Sequence, residues 1–167
     1  MNIQIVNEND ELIGLKPRGE VNPRTDIYRV AALWIANSRG EVLIAQRKIT
    51  KDKDPGMWGP AVAGTVDEGE TYEQNIYKEA DEEIGLTEVD FALGPKQRVS
   101  FPRNYFCQWY TVALDRDVAD FRIQETEVEQ IKWMPAGALL EDVRVSPTSY
   151  IPTMPVLTQL FISKSNS

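Results

Sequence analysis

Three glutamates, Glu79, Glu82 and Glu83, stand at i, i+3 and i+4 in a stretch whose periodicity predicts a helix, so their carboxylates share one face. Like charges that close repel each other, and a cation would relieve them. Hard divalent cations prefer carboxylate oxygens; held there, a cation neutralises phosphate oxygens and acidifies bound water. The chemistry open to such a group is metal-assisted attack by water. The plain alternative for any Glu-Ala-Asp-Glu-Glu run is a solvated acidic face.

A loop running from Gly64 must deliver this helix. Thr71 with Gln74 three residues later has the form of a capping box, and Gly85 suits the left-handed residue that ends a helix. The predicted helix is therefore Tyr72 to Ile84, with Tyr72, Ile76, Ala80 and Ile84 as its apolar stripe. Gly64, Glu70, Glu79, Ala80, Glu82, Glu83, Gly85 and Leu86 together resemble the Nudix box, Gly-x5-Glu-x7-Arg-Glu-U-x-Glu-Glu-x-Gly-U with U aliphatic. Chance agreement at its Gly and Glu positions is on the order of 10⁻⁵ over the chain, which favours the metal reading over the solvated face.

The resemblance implies a Nudix fold, an α/β/α sandwich with a mixed β-sheet, and an enzyme. It implies Mg²⁺, with Mn²⁺ as the substitute, and a metal-binding set of Glu79, Glu82, Glu83 and Gly64. Glu79, Glu82 and Glu83 are also read as catalytic, together with Lys78 and Glu127; Glu83 and Glu127 are the candidate bases. Lys78 stands where the family has Arg, so a point charge replaces a planar two-pronged donor. Glu70 is expected to support the site or contact substrate. Arg29, Arg47, Lys48 and Trp58 are the remaining expected substrate contacts, each weighed against a structural role: an ion-pair partner for Arg29, a solvated basic loop for Arg47 and Lys48, core packing for Trp58.

At 167 residues the chain suits one Nudix domain, 1–167, with an N-terminal hairpin extension (1–25), the box (64–86) and a frayed tail (163–167). Strands are expected over Tyr28–Ala36 and Glu41–Arg47 as a central hairpin, then over Phe91–Phe101, Tyr105–Leu114 and Glu129–Met134. Helices are expected over Pro135–Asp142 and Pro155–Ile162. The net charge of −8 argues against nucleic acid and anionic membrane as partners, leaving a small-molecule diphosphate as the expected one and a homodimer as an open alternative. The chain has no histidine, so carboxylates must supply any metal ligands, and its single cysteine, Cys107, sits among apolar residues as a strand-core residue would. Nothing at the N-terminus has the form of a leader and no apolar run reaches membrane-spanning length, so the cytoplasm is the expected compartment.

The run from Gln46 to Trp58, ending Pro-Gly-Met-Trp, resembles the branch of the family that includes isopentenyl-diphosphate isomerase. That enzyme protonates a carbon double bond with a cysteine and metal-binding histidines. At the matching positions this chain has Ala63 and Thr65. The function expected is therefore Mg²⁺-dependent hydrolysis of a diphosphate linkage, most readily in a nucleoside diphosphate or triphosphate derivative. Isomerase activity and a non-catalytic Nudix-fold binding module are the two rivals, the latter favoured only by Lys78.

Overall fold

A computed structural model describes residues 1–162; the expected frayed tail, 163–167, lies outside the described residues. Everything is built on one long strand, β3 (Ile27–Ala36). Its side chains divide by parity, as a pleated strand requires: Ala31, Leu33 and Ile35 enter one core, while Ala32 and Trp34 enter another on the opposite face. The strand therefore reads as a continuous apolar run, the signature of a strand covered on both sides.

Its partners come from all along the chain. The N-terminal hairpin of β1 (Asn2–Val6) and β2 (Leu12–Pro17) docks through Ile5–Tyr28 and Val6–Ile27, so it extends the main sheet. Two short strands, β5 (Trp58–Pro60) and β6 (Val62–Thr65), follow β4 (Glu41–Arg47). β6 lies antiparallel to β3 from Val30 to Leu33. The hairpin of β7 (Ala92–Val99) and β8 (Tyr105–Ala113) brings β8 parallel to β3 along its length, Tyr28–Tyr105 to Ala36–Ala113. β9 (Val128–Pro135) pairs with β4. The sheet is mixed.

The expected central hairpin is corrected in one respect. β3 and β4 are joined by a turn at Asn37–Gly40, where Asn37 Oδ1 accepts hydrogen bonds from the amides of Arg39 and Glu41, but their ladder is confined to Ala36–Val42. Beyond it the strands splay, and each finds longer partners, β6 and β8 on one side and β5 and β9 on the other.

Helices cover both faces. α1 (Tyr72–Ile84) lays Ile76, Ala80 and Ile84, all fully buried, on the core that holds Leu33 and Ile35. Each buried isoleucine contributes about 1.5–3 kcal/mol. On the other face α2 (Ala136–Val145) and α3 (Met154–Phe161) cover Trp34, Ile44 and Trp109 with Leu139, Val143 and Leu157. α2 begins one residue after Pro135 and runs three residues past Asp142; α3 begins at Met154 with proline in its first turn. Among the described residues no helix is long and apolar enough to cross a membrane.

Candidate active site

Helix α1 is fastened at both ends by its own sequence. Thr71 Oγ1 accepts from the Gln74 amide at 3.0 Å while Gln74 Oε1 accepts from the Thr71 amide at 2.9 Å, and Gly85 closes the helix at φ 66°. The loop before it is fastened from a distance. Gln4 on β1 donates to the carbonyls of Asp67 and Glu70 at 2.9 and 2.7 Å, and Asn75, wholly buried, donates to the Thr65 carbonyl and to Glu70 Oε2, both at 2.9 Å.

Glu70 and Lys78 lie at the centre of that network. The Lys78 ammonium pairs with Glu70, lies 3.2 Å from Asp67 Oδ2 and reaches within 3.9 Å of Glu79. Burial alone would raise the Glu70 carboxyl, but hydrogen bonds from Lys78, Asn75 and the Asp67 amide outweigh it and hold the group below the ordinary range. Hydrogen bonds to the carboxylates of Glu70 and Asp67 raise Lys78 against its own burial. Lys78 thus neutralises Glu70 and Asp67 and stands beside Glu79. We expect Lys78→Ala to destabilise the protein by about 1–3 kcal/mol, because Glu70 loses its cation and Asp67 the nearer of its two, and to weaken metal binding at Glu79. Lys78→Arg retains the charge and most of both properties. Thermal unfolding and metal titration on the two variants check this; an alanine variant with wild-type melting and metal affinity would show that Lys78 positions nothing.

Glu79 and Glu83 face inward from α1 toward β6. Burial pushes the Glu79 carboxyl up to about 7, against the pull of Lys78 and reinforced by Glu82, Glu70 and Asp67. Glu83 is pushed up to about 8 by burial, then by the charges of Glu79 and Glu127, although the Ala63 amide and Lys51 oppose this. Glu82 is exposed on the same face. Gly64 lies against Glu79 so closely that an added Cβ would sit 2.8 Å from Glu79 Oε1, which explains the glycine. Among the described residues no three carboxylates already converge on one coordination point. The donor set nevertheless fits a hard divalent cation: every donor is an oxygen, and burial of Glu79 and Glu83 disfavours their charged forms in the absence of a compensating positive charge.

The other expected residues divide. Glu127 stands near Glu83 and is ion-paired with Lys51. Arg47 ends β4, its Nε donating to the Lys53 carbonyl in the loop that follows at 2.8 Å. Three further expected substrate contacts have partners within the protein. Lys48 pairs with Glu129 at 3.0 Å, on β9. Arg29 donates through Nε to Asp10 Oδ1 and through Nη1 to Gln4 Oε1, both at 2.7 Å, and lies over the Tyr72 ring, so its guanidinium ties the N-terminal hairpin to the sheet. Trp58 packs with the α2–α3 core, away from α1, with the Lys132 ammonium 4.3 Å from its ring centroid. Sequence reasoning missed Asp67, Asn75 and Gln4. Asp67 and Asn75 fall inside the box, where a buried polar residue between the matched positions was a readable signal; Gln4 carried none.

A helix with three inward or flanking carboxylates, a glycine-spaced strand behind it and helices on both faces of a mixed sheet define a Nudix hydrolase, an enzyme of pyrophosphate-type hydrolysis in a family that generally uses divalent metal ions. The chain belongs to the Nudix family: the model of the NUDIX domain matches residues 27–154. An uncharacterised Nudix hydrolase of Pseudomonas aeruginosa is 30% identical over 142 residues, covering 85% of this chain and 83% of its own. An isopentenyl-diphosphate Δ-isomerase of an Enterobacter species is 25% identical over 158 residues, covering 90% and 85%. In fold, the chain is similar to a Deinococcus radiodurans protein of known crystal structure, with a TM-score of 0.81 at 23% identity, covering 96% of this chain and 99% of that one.

Proposed function

We propose that the enzyme hydrolyses a diphosphate linkage in a nucleoside diphosphate or triphosphate derivative and requires Mg²⁺ or Mn²⁺. The observation that carries this reading is the pair Glu79 and Glu83, two inward carboxylates on one helical turn whose proton affinities are raised by burial and, at Glu83, by the charge of Glu79. Glu79, Glu82 and Glu83 would hold the metal, which when bound supplies charge neutralisation at the phosphate oxygens and a more acidic water. Water adds to phosphorus, the bridging P–O bond breaks with its electron pair going to the departing phosphate, and a carboxylate takes the water's proton. Glu83 is the proton acceptor, with Glu127 as the alternative. Lys78 keeps Glu70 and Asp67 neutralised so that the loop stays closed against α1.

The relationship to isomerases makes carbon-bond protonation the second reading. The site lacks the groups for it: Ala63 and Thr65 carry neither thiol nor imidazole. Cys107 cannot substitute, being buried on β8 in the core under α2 and α3, where burial raises its thiol far above the ordinary range. A screen of nucleotides, nucleotide sugars, dinucleotides and isopentenyl diphosphate, with Mg²⁺ and with chelator, tests both readings. We expect Mg²⁺-dependent release of a phosphorylated product from nucleotides and no dimethylallyl diphosphate. Isomerisation as fast as any hydrolysis, or hydrolysis untouched by chelator, would overturn the proposal.

A further inference from the structure

Beside the box, three chain segments bring cations together over one aromatic ring. Arg18 comes from the turn after β2, Lys53 from the loop between β4 and β5, and Arg103 from the turn between β7 and β8. With Val21 and Thr65 they line a cleft of about 160 Å³ against Tyr28. Tyr28 is buried, its ring is packed 5.5 Å from that of Tyr105, and the Lys53 ammonium lies 5.7 Å from its centroid. Arg18 lies 3.5 Å from Asp67 Oδ1, and Lys78 lies 3.2 Å from the other oxygen of that carboxylate, so the cleft adjoins the loop that leads into α1.

Three cations facing one cleft repel one another unless something anionic completes the gathering. Among the described residues the carboxylates paired with these cations are Asp67, 3.5 Å from Arg18, and Asp54, 3.5 Å from Arg103; both contacts are long. Burial, then the charges of Arg103, Arg18 and Arg47, lower the Lys53 ammonium below the ordinary range, as expected for a cation short of a partner. The cleft is well below the ~300–1,000 Å³ of pockets that enclose a whole small molecule. Its size and charge suit a single phosphate.

We propose that this cleft takes the terminal phosphoryl group of the substrate, so that the enzyme selects diphosphates with a free phosphate end, such as nucleoside di- and triphosphates, over diphosphates capped at both ends. The inference rests on the diphosphate reading above and deepens it. A terminal phosphate carries close to two charges near neutral pH, whereas a phosphate esterified on both sides carries one. Three cations discriminate between them by charge, and the small volume discriminates by excluding a second organic group.

The test is calorimetric titration of metal-free protein with methylene diphosphonate, which has free phosphonate ends and no hydrolysable bridge. Wild type, Lys53→Gln and the double variant Lys53→Gln/Arg103→Gln are compared, with Glu83→Gln as the control that removes the catalytic carboxylate and leaves the cleft intact. We expect the dissociation constant to rise at least tenfold in the double variant, with Lys53→Gln intermediate and Glu83→Gln no weaker than wild type. In the active enzyme the double variant should raise KM for nucleoside diphosphates at least tenfold relative to KM for a nucleotide sugar. Binding unchanged in the double variant, or an equal KM rise for both substrate classes, would overturn the proposal. Should wild type hydrolyse no diphosphate, the diphosphate reading fails, while the calorimetric comparison still decides whether the cleft binds phosphate.

Discussion

Glu83→Gln should lower kcat by roughly 10³-fold, about 4 kcal/mol of barrier, while raising the melting temperature of the metal-free protein at alkaline pH. The two effects have one cause. In the metal-free fold, burial and the neighbouring charges of Glu79 and Glu127 lift the Glu83 carboxyl to about 8, well above the 4.5 of an ordinary glutamate. A raised folded-state pKa means that the fold prefers the protonated form. Stability is therefore complete below about pH 4.5, is lost progressively as pH climbs through 8, and is then level. The Glu79 carboxyl, lifted to about 7, adds to the same slope. Glutamine keeps the shape and never ionises, so variant and wild type should melt together near pH 5. At pH 8.5 the variant should melt about 4 °C or more higher, equivalent to roughly 1–2 kcal/mol. Divalent metal should reverse that order by stabilising wild type alone. Melting curves at both pH values, with chelator and with Mg²⁺, alongside steady-state kinetics, check the prediction. Equal turnover would remove Glu83 from the chemistry, and equal melting at pH 8.5 would remove the burial penalty.

The helix that carries Glu83 was legible to the residue because its signals are local. Thr71 and Gln74 cap one end, Gly85 closes the other, and the stripe of Ile76, Ala80 and Ile84 sets the buried face. The strands were legible in position and less so in partnership. β3 is apolar on both faces, so its sequence does not disclose which parity looks toward α1. Pairing with β6 and β8 is decided by residues 30 to 80 positions away. The same blindness explains Arg29 and Trp58. Arg29 precedes the buried run and is met by Asp10, a residue whose own φ of 58° belongs to a tight turn in the N-terminal hairpin. Trp58 follows the Pro-Gly turn, and its side depends on the pairing of β5 with β4 through Gln46. Lys78 shows the converse case. Its departure from the family's Arg raised doubt about orientation, and only its distances to Asp67 and Glu79 show which carboxylates it serves.

Gly64→Ala should cost most of the activity without unfolding the protein. The glycine has no left-handed backbone to maintain, so alanine is tolerated by the chain itself; what it lacks is room, since its Cβ would fall within 2.8 Å of Glu79 Oε1 and closer still to the carbons behind that carboxylate. Glu79 must then leave its rotamer, a shift that costs about 0.5–1.5 kcal/mol and carries its carboxylate away from Glu83. Displacements of this size at a reacting centre cost on the order of 10²-fold in rate. We therefore expect kcat/KM to fall about 10²-fold, the Mg²⁺ concentration for half-maximal rate to rise at least tenfold, and the melting temperature to change by no more than about 3 °C. A double-mutant cycle separates this mechanism from a general disturbance of β6. If the alanine acts by displacing Glu79, adding Gly64→Ala to Glu79→Ala should cost nothing further, because the side chain it would displace is gone. If the two losses add, the glycine serves the strand rather than the carboxylate, and the close approach of Gly64 to Glu79 has no part in holding the metal.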